Sequence, residues 1–395
     1  MSEWKKVKFL DVVHLNPRIS LEKGVEYPFV EMSNVVPCAR KPEKDVFKKY
    51  LGGGTKFEQG DTIVARIEPC LQNGKGFQCS YKQGFGSTEF IVFRPVNIND
   101  LDCDFLYYYM GQQAIREAMA KTMVGASGRQ RVNNKVFNDL QINLPPLSTQ
   151  HRIANILSRY DSLIENYQKQ IKLLEEAAQR LYKEWFVDLH FPGHENTKIV
   201  DGVPEGWEKK KVNSIIELQS GFAFKSSTFD DNGAYKIVTI KNVKDGAFDG
   251  DNVSRIVAIP EKMPKHCVLA DGDILLSLTG NVGRVCIVNG KNYLLNQRVA
   301  KLATDYKAFT YCLFRSRDMF IEVNNLANGA AQQNVSPIRI GEMKILLPNN
   351  ELLQEFESIA RKSIARILSL QSQLRLLTEA RDRLLPKLMN GEIAV

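Results

Sequence analysis

Residues 147–186 read LSTQHRIANILSRYDSLIENYQKQIKLLEEAAQRLYKEWF and contain neither proline nor glycine. Apolar side chains recur along this stretch in steps of three and four residues, at positions 153, 156, 160, 164, 167, 171, 174, 178, 181 and 185. That spacing predicts one long amphipathic helix, about 55 Å in length at roughly 1.5 Å per residue. A helix with a single apolar stripe must bury that stripe against another element.

A second stretch of the same kind lies within residues 349–395. Its apolar positions are Phe356, Ile359, Ile367, Leu370, Leu374, Leu377, Leu384 and Leu388. Pro386 and Gly391 are expected to end this helix, since proline and glycine disfavour helix continuation. We expect the two long helices to pair with each other as an antiparallel coiled coil. The alternative is that each helix lies on its own globular domain.

The chain contains an internal repeat with a period of about half its length. Four segments recur in the same order, and recurrence at this period indicates two copies of one domain. The paired segments are Trp4-Lys5-Lys6 with Trp207-Glu208-Lys209, Gly60–Val64 with Gly272–Leu276, 126–132 with 329–335, and Leu144-Pro145 with Leu347-Pro348. Three of the four pairs are separated by 203 residues, and the second pair by 212.

Outside the helices, β-rich runs bounded by glycine and asparagine alternate with short helical patches. The runs lie at 90–95, 235–240, 273–278 and 284–290, and a helical patch lies at 102–123. The predicted fold class is α/β (α+β): globular domains that alternate with two long helices, as a tandem repeat with pseudo-two-fold symmetry. The predicted regions are a first domain 1–146, a first helical region 147–186, a linker 187–206, a second domain 207–348 and a second helical region 349–395.

Composition narrows the function classes. The chain of 395 residues has 53 Lys and Arg against 45 Asp and Glu, a net charge of +8, which favours a nucleic acid or another acidic partner. Seven cysteines without a C-x-x-C pair argue against a disulfide framework or a zinc finger, and they favour a reducing cytoplasm. We find no signal peptide and no run long enough for a membrane helix, so no membrane partner is expected.

Motifs for catalysis are incomplete throughout. The sequence around Lys75 lacks the first glycine and the Ser or Thr of a P-loop, and no G-x-G-x-x-G can be completed after Gly52. The Asn-Pro-Pro-Tyr motif that holds an extruded adenine is missing, and Pro192 rules out a helical metal site between His190 and His194. We therefore predict no catalytic residue, no metal and no cofactor on this chain. A fused methyltransferase or nuclease, and a DNA-independent coiled-coil scaffold, are the disfavoured alternatives.

Loops rich in Asn, Gln and Arg are the candidates for DNA binding, since these side chains match base edges bidentately. Glu89 could accept from a cytosine amino group, whereas Arg66, Lys75, Lys225 and Lys241 suit phosphate better. In the first half the candidates are Arg66, Lys75, Ser87, Thr88, Glu89, Arg129, Gln130 and Arg131. In the second half they are Lys225, Asn281, Arg284, Asn296, Gln297, Arg298, Gln332, Gln333 and Asn334. The alternatives are solvated charges and, above all for Asn296 and Gln297, polar side chains that satisfy the backbone of a loop.

Taken together, the repeat, the helices and several short strings resemble the specificity subunit of type I restriction-modification systems. The strings are LPPLSTQHRI at 144–153, LYKEWF at 181–186, FPG at 191–193, VPEGW at 203–207, SGFAFK at 220–225, NQR at 296–298 and LLPKLMNGEI at 384–393. Each string is weakly specific, but their order and spacing across two copies are characteristic of the family.

This resemblance implies a non-catalytic subunit whose two target recognition domains each read one half of a split double-stranded DNA site. It implies partners as well: two methyltransferase subunits that carry S-adenosylmethionine and methylate adenine at N6, and restriction endonuclease subunits that use ATP and Mg. A subunit of a modification-only system would look the same. The helices would act as a spacer and docking surface, with half-sites about one turn of DNA apart, roughly 10–10.5 base pairs. The residues assigned to docking are Tyr160, Tyr167, Tyr182, Trp185 and Phe186.

Overall fold

The computed structural model describes residues 4–126, 128–251, 253–327 and 334–395. In the first repeat the strands are β1 (Lys5–Lys8), β2 (Val13–Leu15), β3 (Glu26–Val30), β4 (Phe47–Lys49), β5 (Thr55–Glu58), β6 (Thr62–Ala65), β7 (Gly76–Gln78), β8 (Gln83–Gly86), β9 (Phe90–Pro95) and β10 (Gln141–Leu144). Its helices are α1 (Phe9–Val12), α2 (Cys103–Met110), α3 (Gln113–Ala120), α4 (Val136–Asp139) and α5 (Leu147–Phe186).

A connecting segment carries β11 (Ile199–Val200) and β12 (Val203–Pro204). In the second repeat the strands are β13 (Glu208–Lys211), β14 (Glu217–Ser220), β15 (Tyr235–Val238), β16 (Ser254–Ile256), β17 (Val268–Leu269), β18 (Ile274–Ser277), β19 (Val285–Ile287), β20 (Tyr293–Leu295), β21 (Val299–Ala303) and β22 (Lys344–Leu347). Its helices are α6 (Lys307–Arg315), α7 (Arg317–Ala327), α8 (Pro337–Gly341) and α9 (Asn350–Met389).

Sheet topology confirms the predicted repeat. The first repeat has strand orders β2-β9-β6-β7 and β4-β3-β8-β5, and the second has β14-β21-β18-β19 and β16-β15-β20-β17. Each repeat also pairs its first strand with its last, β1 with β10 and β13 with β22. The parallel pairs β3–β8 and β15–β20 occupy equivalent places. The two halves therefore share one α+β scaffold.

The repeated Gly-Asp dipeptide has a structural role at the entry to β6 and β18. Each aspartate accepts a hydrogen bond at 2.8 Å from the backbone N–H three residues before it. Asp61 also pairs with Arg94 at 2.6 Å, and Asp273 with Lys301 at 2.9 Å, so each turn is tied to a neighbouring strand. These buried carboxylates stabilise the scaffold.

The chain forms two compact units. The first unit is Met1–Glu165 together with Leu376–Val395, and the second unit is Asn166–Arg375. Each long helix is therefore divided between the units, whereas the predicted regions treated each helix as a separate segment.

Aromatic rings fill the core of the first unit. The Phe9 ring centroid lies 6.0 Å from that of Phe93 and 5.8 Å from that of Phe137. Leu157 of α5 and Leu388 of α9 are buried in the same core. Both long helices thus bury part of their apolar stripe in this unit.

A buried polar cluster joins α2, α5 and α9 within the first unit. The Tyr108 hydroxyl donates to the Asp161 carboxylate at 2.5 Å, and Arg381 pairs with that carboxylate at 2.8 Å. The Arg381 guanidinium also donates to the Cys38 carbonyl at 3.1 Å. The Asp161 and Arg381 side chains are 7% and 9% exposed, so the ion pair is shielded from water.

The second helix ends at Met389, between Pro386 and Gly391, where the sequence predicts its end, and Pro386 itself lies within the last turn. Helix α9 continues to Met389, and Gly391 follows with a φ of 72°. Proline near the last turn removes a single intrahelical hydrogen bond, and the Pro386 carbonyl still accepts from the Asn390 N–H at 2.9 Å.

Among the described residues, no helix has both the length and the apolar character needed to cross a membrane.

The cysteines of the chain are all free thiols. Cys79, Cys267, Cys286 and Cys312 are buried, and Cys38 is exposed. Burial raises the pKa of the Cys79 thiol to about 12, which keeps it protonated at neutral pH.

We expect Asp161→Ala to destabilise the first unit by about 3–5 kcal/mol, because it leaves the Arg381 guanidinium buried without its main partner. Urea denaturation followed by circular dichroism measures the change. The matched control is Glu176→Ala, which breaks the exposed pair between Lys172 and Glu176 and should change stability by less than about 0.5 kcal/mol. Equal effects of the two substitutions would contradict the assignment.

Candidate nucleic-acid interface

Loops of the first unit converge where β3, β6 and β8 end and β9 begins. Three backbone hydrogen bonds join them: Ser87 donates to Val30 at 3.1 Å, Arg66 to Glu89 at 2.9 Å, and Val132 to Arg66 at 2.9 Å. We call residues 66–76, 87–89 and 129–132 the first loop cluster. The backbone thus brings together candidates that are far apart in the sequence.

The second unit builds the same arrangement. Asn296 donates to Val238 at 3.1 Å, Leu278 to Arg298 at 3.0 Å, and Val335 to Leu278 at 2.9 Å. We call residues 221–225, 278–284, 296–298 and 334–335 the second loop cluster. These bonds make residues 87–89 equivalent to 296–298, and residue 131 equivalent to 334 as the repeat of 126–132 with 329–335 predicts.

A close backbone approach explains the glycine of the SGFAFK string. A Cβ atom at Gly221 would lie 2.2 Å from the Asn296 carbonyl oxygen, which leaves no room for a side chain. The Gln297 N–H donates to the Phe222 carbonyl at 3.0 Å. Glycine at this position therefore lets the 221–225 loop join the second loop cluster.

An ion pair dominates the first loop cluster. The Arg131 Nε donates to Glu89 Oε2 at 2.8 Å, and its Nη2 donates to Oε1 at 2.5 Å. Hydrogen bonding to Arg131 lowers the pKa of Glu89 below 4.5 and raises the pKa of Arg131. The Glu89 carboxylate, predicted as an acceptor for a cytosine amino group, is therefore engaged by a protein cation.

The other predicted residues of the first half have mixed placements. Lys75 donates through Nζ to the Met32 carbonyl at 2.8 Å, so its ammonium stabilises a loop and does not project freely toward phosphate. Arg66 is half-buried, and its Nε has no partner among the described residues. Ser87 Oγ accepts from the Glu89 N–H at 3.2 Å. Thr88 and Arg129 are exposed, and Gln130 is half-buried.

In the second half, most candidates face solvent. The exposed candidates are Lys225, Asn281, Gln297, Arg298 and Asn334, whereas Arg284 and Asn296 are half-buried. The Asn296 Oδ1 accepts from the Arg298 N–H at 3.3 Å, which agrees with the alternative that it satisfies loop backbone. The Asn334 Oδ1 accepts from the Thr279 hydroxyl at 2.9 Å. Gln332 and Gln333 lie outside the described residues.

The assignment of Tyr182, Trp185 and Phe186 to partner docking is wrong. These side chains are 6%, 7% and 8% exposed and belong to the hydrophobic core of the second unit. The Phe186 ring centroid lies 4.9 Å from that of Phe356 and 5.1 Å from that of Phe309. The tyrosines Tyr160 and Tyr167 are half-buried on α5, and their docking role stays a prediction.

Sequence reasoning missed the polar contacts that hold the domain helices to α5. In the second unit, the Tyr311 hydroxyl donates to Glu175 at 2.6 Å, and Arg315 pairs with Glu175 at 2.9 Å. Burial and the nearby Glu175 carboxylate raise the pKa of Tyr311 well above its usual value. Tyr108 and Tyr311 are 203 residues apart, so the repeat period was a signal that could have identified them.

Replacing Arg131 by alanine is expected to raise the pKa of Glu89 toward its ordinary value of 4.5, because Arg131 is the largest cause of its lowering. A carboxyl group with a lowered pKa adds stability above its unfolded pKa, and that stability is lost as pH falls through the folded pKa. Carbon-detected NMR titration of Glu89 measures the midpoint in both proteins. The control Arg129→Ala should leave the midpoint in place; an unchanged midpoint in Arg131→Ala would refute the pairing.

This chain is similar in sequence to a known protein family and in fold to a solved structure. A family model described as "Type I restriction modification DNA specificity domain" matches twice, at residues 1–176 and 204–381. The MjaVIII specificity subunit of Methanocaldococcus jannaschii is 30% identical over 332 residues, which cover 80% of this chain and 75% of that protein. The MjaIX specificity subunit of the same organism is 28% identical over 305 residues, covering 74% and 69%. The S subunit of a type I restriction-modification system from M. genitalium has a similar fold, with a TM-score of 0.57, 18% identity, and coverage of 98% of this chain and 96% of that chain.

Proposed function

Because this chain belongs to the type I restriction-modification DNA specificity family, we propose that it is the non-catalytic DNA-recognition subunit of a type I restriction-modification complex. The observation that carries this proposal is the pair of loop clusters. Equivalent backbone hydrogen bonds build both clusters, yet the side chains they present differ. A common scaffold with different polar side chains suits two domains that read different base sequences.

Each repeat then reads one half of a bipartite DNA site. The exposed polar groups of the first loop cluster include Arg129 and Arg131, and those of the second include Gln297, Arg298 and Asn334. The net charge of +8 supplies a sequence-independent attraction to DNA, and that attraction weakens as salt rises. The base contacts supply the selectivity.

We assign the long helices to spacing and docking, paired as an antiparallel coiled coil. Two contacts support this pairing: Asp161 of α5 meets Arg381 of α9 in the first unit, and Trp185 of α5 meets Phe356 of α9 in the second unit. From the first contact to the second, the residue number rises along α5, from 161 to 185, and falls along α9, from 381 to 356, as in antiparallel helices. Exposed leucines such as Leu173, which is 54% exposed, offer apolar contacts for partner subunits.

The partners that this role requires are two methyltransferase subunits and, in a restricting system, endonuclease subunits. S-adenosylmethionine, ATP and Mg would be bound by those subunits in the cytoplasm. The present chain would contribute the DNA sequence preference and the distance between the two half-sites.

The direct test is single-molecule sequencing for N6-methyladenine in cells that express this chain with its cognate methyltransferase. We expect a split motif with an unread spacer that appears only when this chain is present. The control strain expresses the methyltransferase alone. The proposal would be overturned if no chain-dependent motif appeared although the same methyltransferase methylated DNA together with another specificity subunit.

Exchange of residues 1–146 for the matching segment of another family member should change one half-site and leave the other intact, because the second loop cluster lies wholly outside that segment. The donor segment should keep a tyrosine at the position of Tyr108, which contacts Asp161 beyond the exchange point. The same sequencing assay reports the new motif. A change in both half-sites would contradict independent reading by the two repeats.

A further inference from the structure

We propose that one position of the loop clusters is a base-reading position in both repeats, where Arg131 reads a guanine in one half-site and Asn334 reads an adenine in the other. This inference rests on the proposed function and assigns it to two side chains. Glu89 and Thr279 are the positioning residues that hold the two readers.

Backbone geometry shows that the two positions are equivalent. Arg131 forms an isolated antiparallel bridge with Ile67, and Asn334 forms one with Thr279. In each repeat the next residue, Val132 or Val335, donates its N–H to the residue before the bridge partner. The same backbone site therefore carries an arginine in the first unit and an asparagine in the second.

The ion pair with Glu89 fixes the Arg131 guanidinium and leaves one edge available. Glu89 occupies the Nε and Nη2 edge, at 2.8 and 2.5 Å. The remaining edge, between Nη1 and Nη2, presents two parallel N–H donors, and the Arg131 side chain is 48% exposed. Two parallel donors match the O6 and N7 acceptors of guanine in the major groove.

The Glu89 carboxylate also argues against phosphate as the target of Arg131. A negative charge bound to the guanidinium reduces its attraction for a phosphate, while the geometry of its donors is preserved. A neutral base edge is attracted mainly through those donors. Arg129 is exposed nearby, and no carboxylate is paired with it among the residues that the structure describes, so it is the better phosphate contact.

Asn334 is held in a comparable way. Its Oδ1 accepts from the Thr279 hydroxyl at 2.9 Å, which fixes the plane of the side-chain amide. The exposed amide keeps its Nδ2 donors and one further lone pair on Oδ1. One donor and one acceptor in a plane match N7 and the N6 amino group of adenine.

The test is methylation sequencing of the complete complex in cells, with wild type, Arg131→Lys, Glu89→Gln and Arg129→Lys compared. Lysine keeps the charge of Arg131 without its fork, so Arg131→Lys should reduce discrimination at one guanine of the first half-site by about 5- to 150-fold. Glu89→Gln should weaken discrimination at the same base pair. Arg129→Lys should change no base preference. The second half-site acts as an internal control for folding and assembly, since it should stay unchanged in all three variants.

The converse experiment rebuilds the pair on the second scaffold. Positions 298 and 334 correspond to 89 and 131, so Arg298→Glu combined with Asn334→Arg recreates an acid and an arginine at equivalent sites. We expect the second half-site to change at one base pair, from adenine to guanine, while the first half-site is retained.

The outcomes separate the two proposals. Without a chain-dependent motif for wild type, the proposed function fails and this inference fails with it. If wild type gives a split motif but Arg131→Lys leaves the first half-site unchanged, or if that half-site contains no guanine, the inference alone is overturned. Loss of one base preference in Arg131→Lys, with the second half-site intact, supports it.

Discussion

The proposed DNA-reading surface, formed by the two loop clusters, depends on backbone hydrogen bonds made beyond the ends of the strands. Arg66 in the first repeat, and Leu278 in the second, each donate to one neighbouring loop and accept from another. Loops fixed through their main chains can exchange side chains without loss of the loop conformation. This separation of scaffold from side chain explains how one fold can serve two different half-sites in a single specificity subunit.

The contacts between the domains and the long helices are of a different kind, because they are made by side chains that are buried in the first unit and largely shielded in the second. In each unit a tyrosine hydroxyl binds a carboxylate on α5, and an arginine neutralises that carboxylate. Such contacts tolerate little change, since an unpaired charge at a buried position is costly. Recognition loops can therefore diverge while the attachment of each domain to the helices is maintained.

Local sequence patterns predicted the elements well. The run at 90–95 is β9 with the same bounds, and the stretch from Leu147 to Phe186 is one helix, because periodicity and helix-breaking residues are local signals. The repeat supplied a further constraint, and it aligned Arg131 with Asn334 correctly.

What could not be predicted was the contacts of individual side chains. Glu89 and Arg131 are 42 residues apart, and nothing near either residue indicates their pairing. The aromatic end of α5 shows the same limit: Trp185 could equally cover a partner or fill a core, and the choice depends on Phe356, which is distant in the sequence. Lys75 likewise resembles a phosphate ligand until the position of the Met32 carbonyl is known.

The division of the long helices between the two units affects the order in which the protein can fold during synthesis. Arg381, the partner of Asp161, belongs to a segment that the ribosome makes only after the whole second unit, Asn166–Arg375. At roughly 5–20 residues per second, the first unit waits about 10–40 s for that segment, whereas the second unit is continuous and can close as soon as it emerges. During that interval, the nascent first unit holds the Asp161 carboxylate without its arginine partner and leaves an apolar face of α5 uncovered, so it is open to chaperones and proteases.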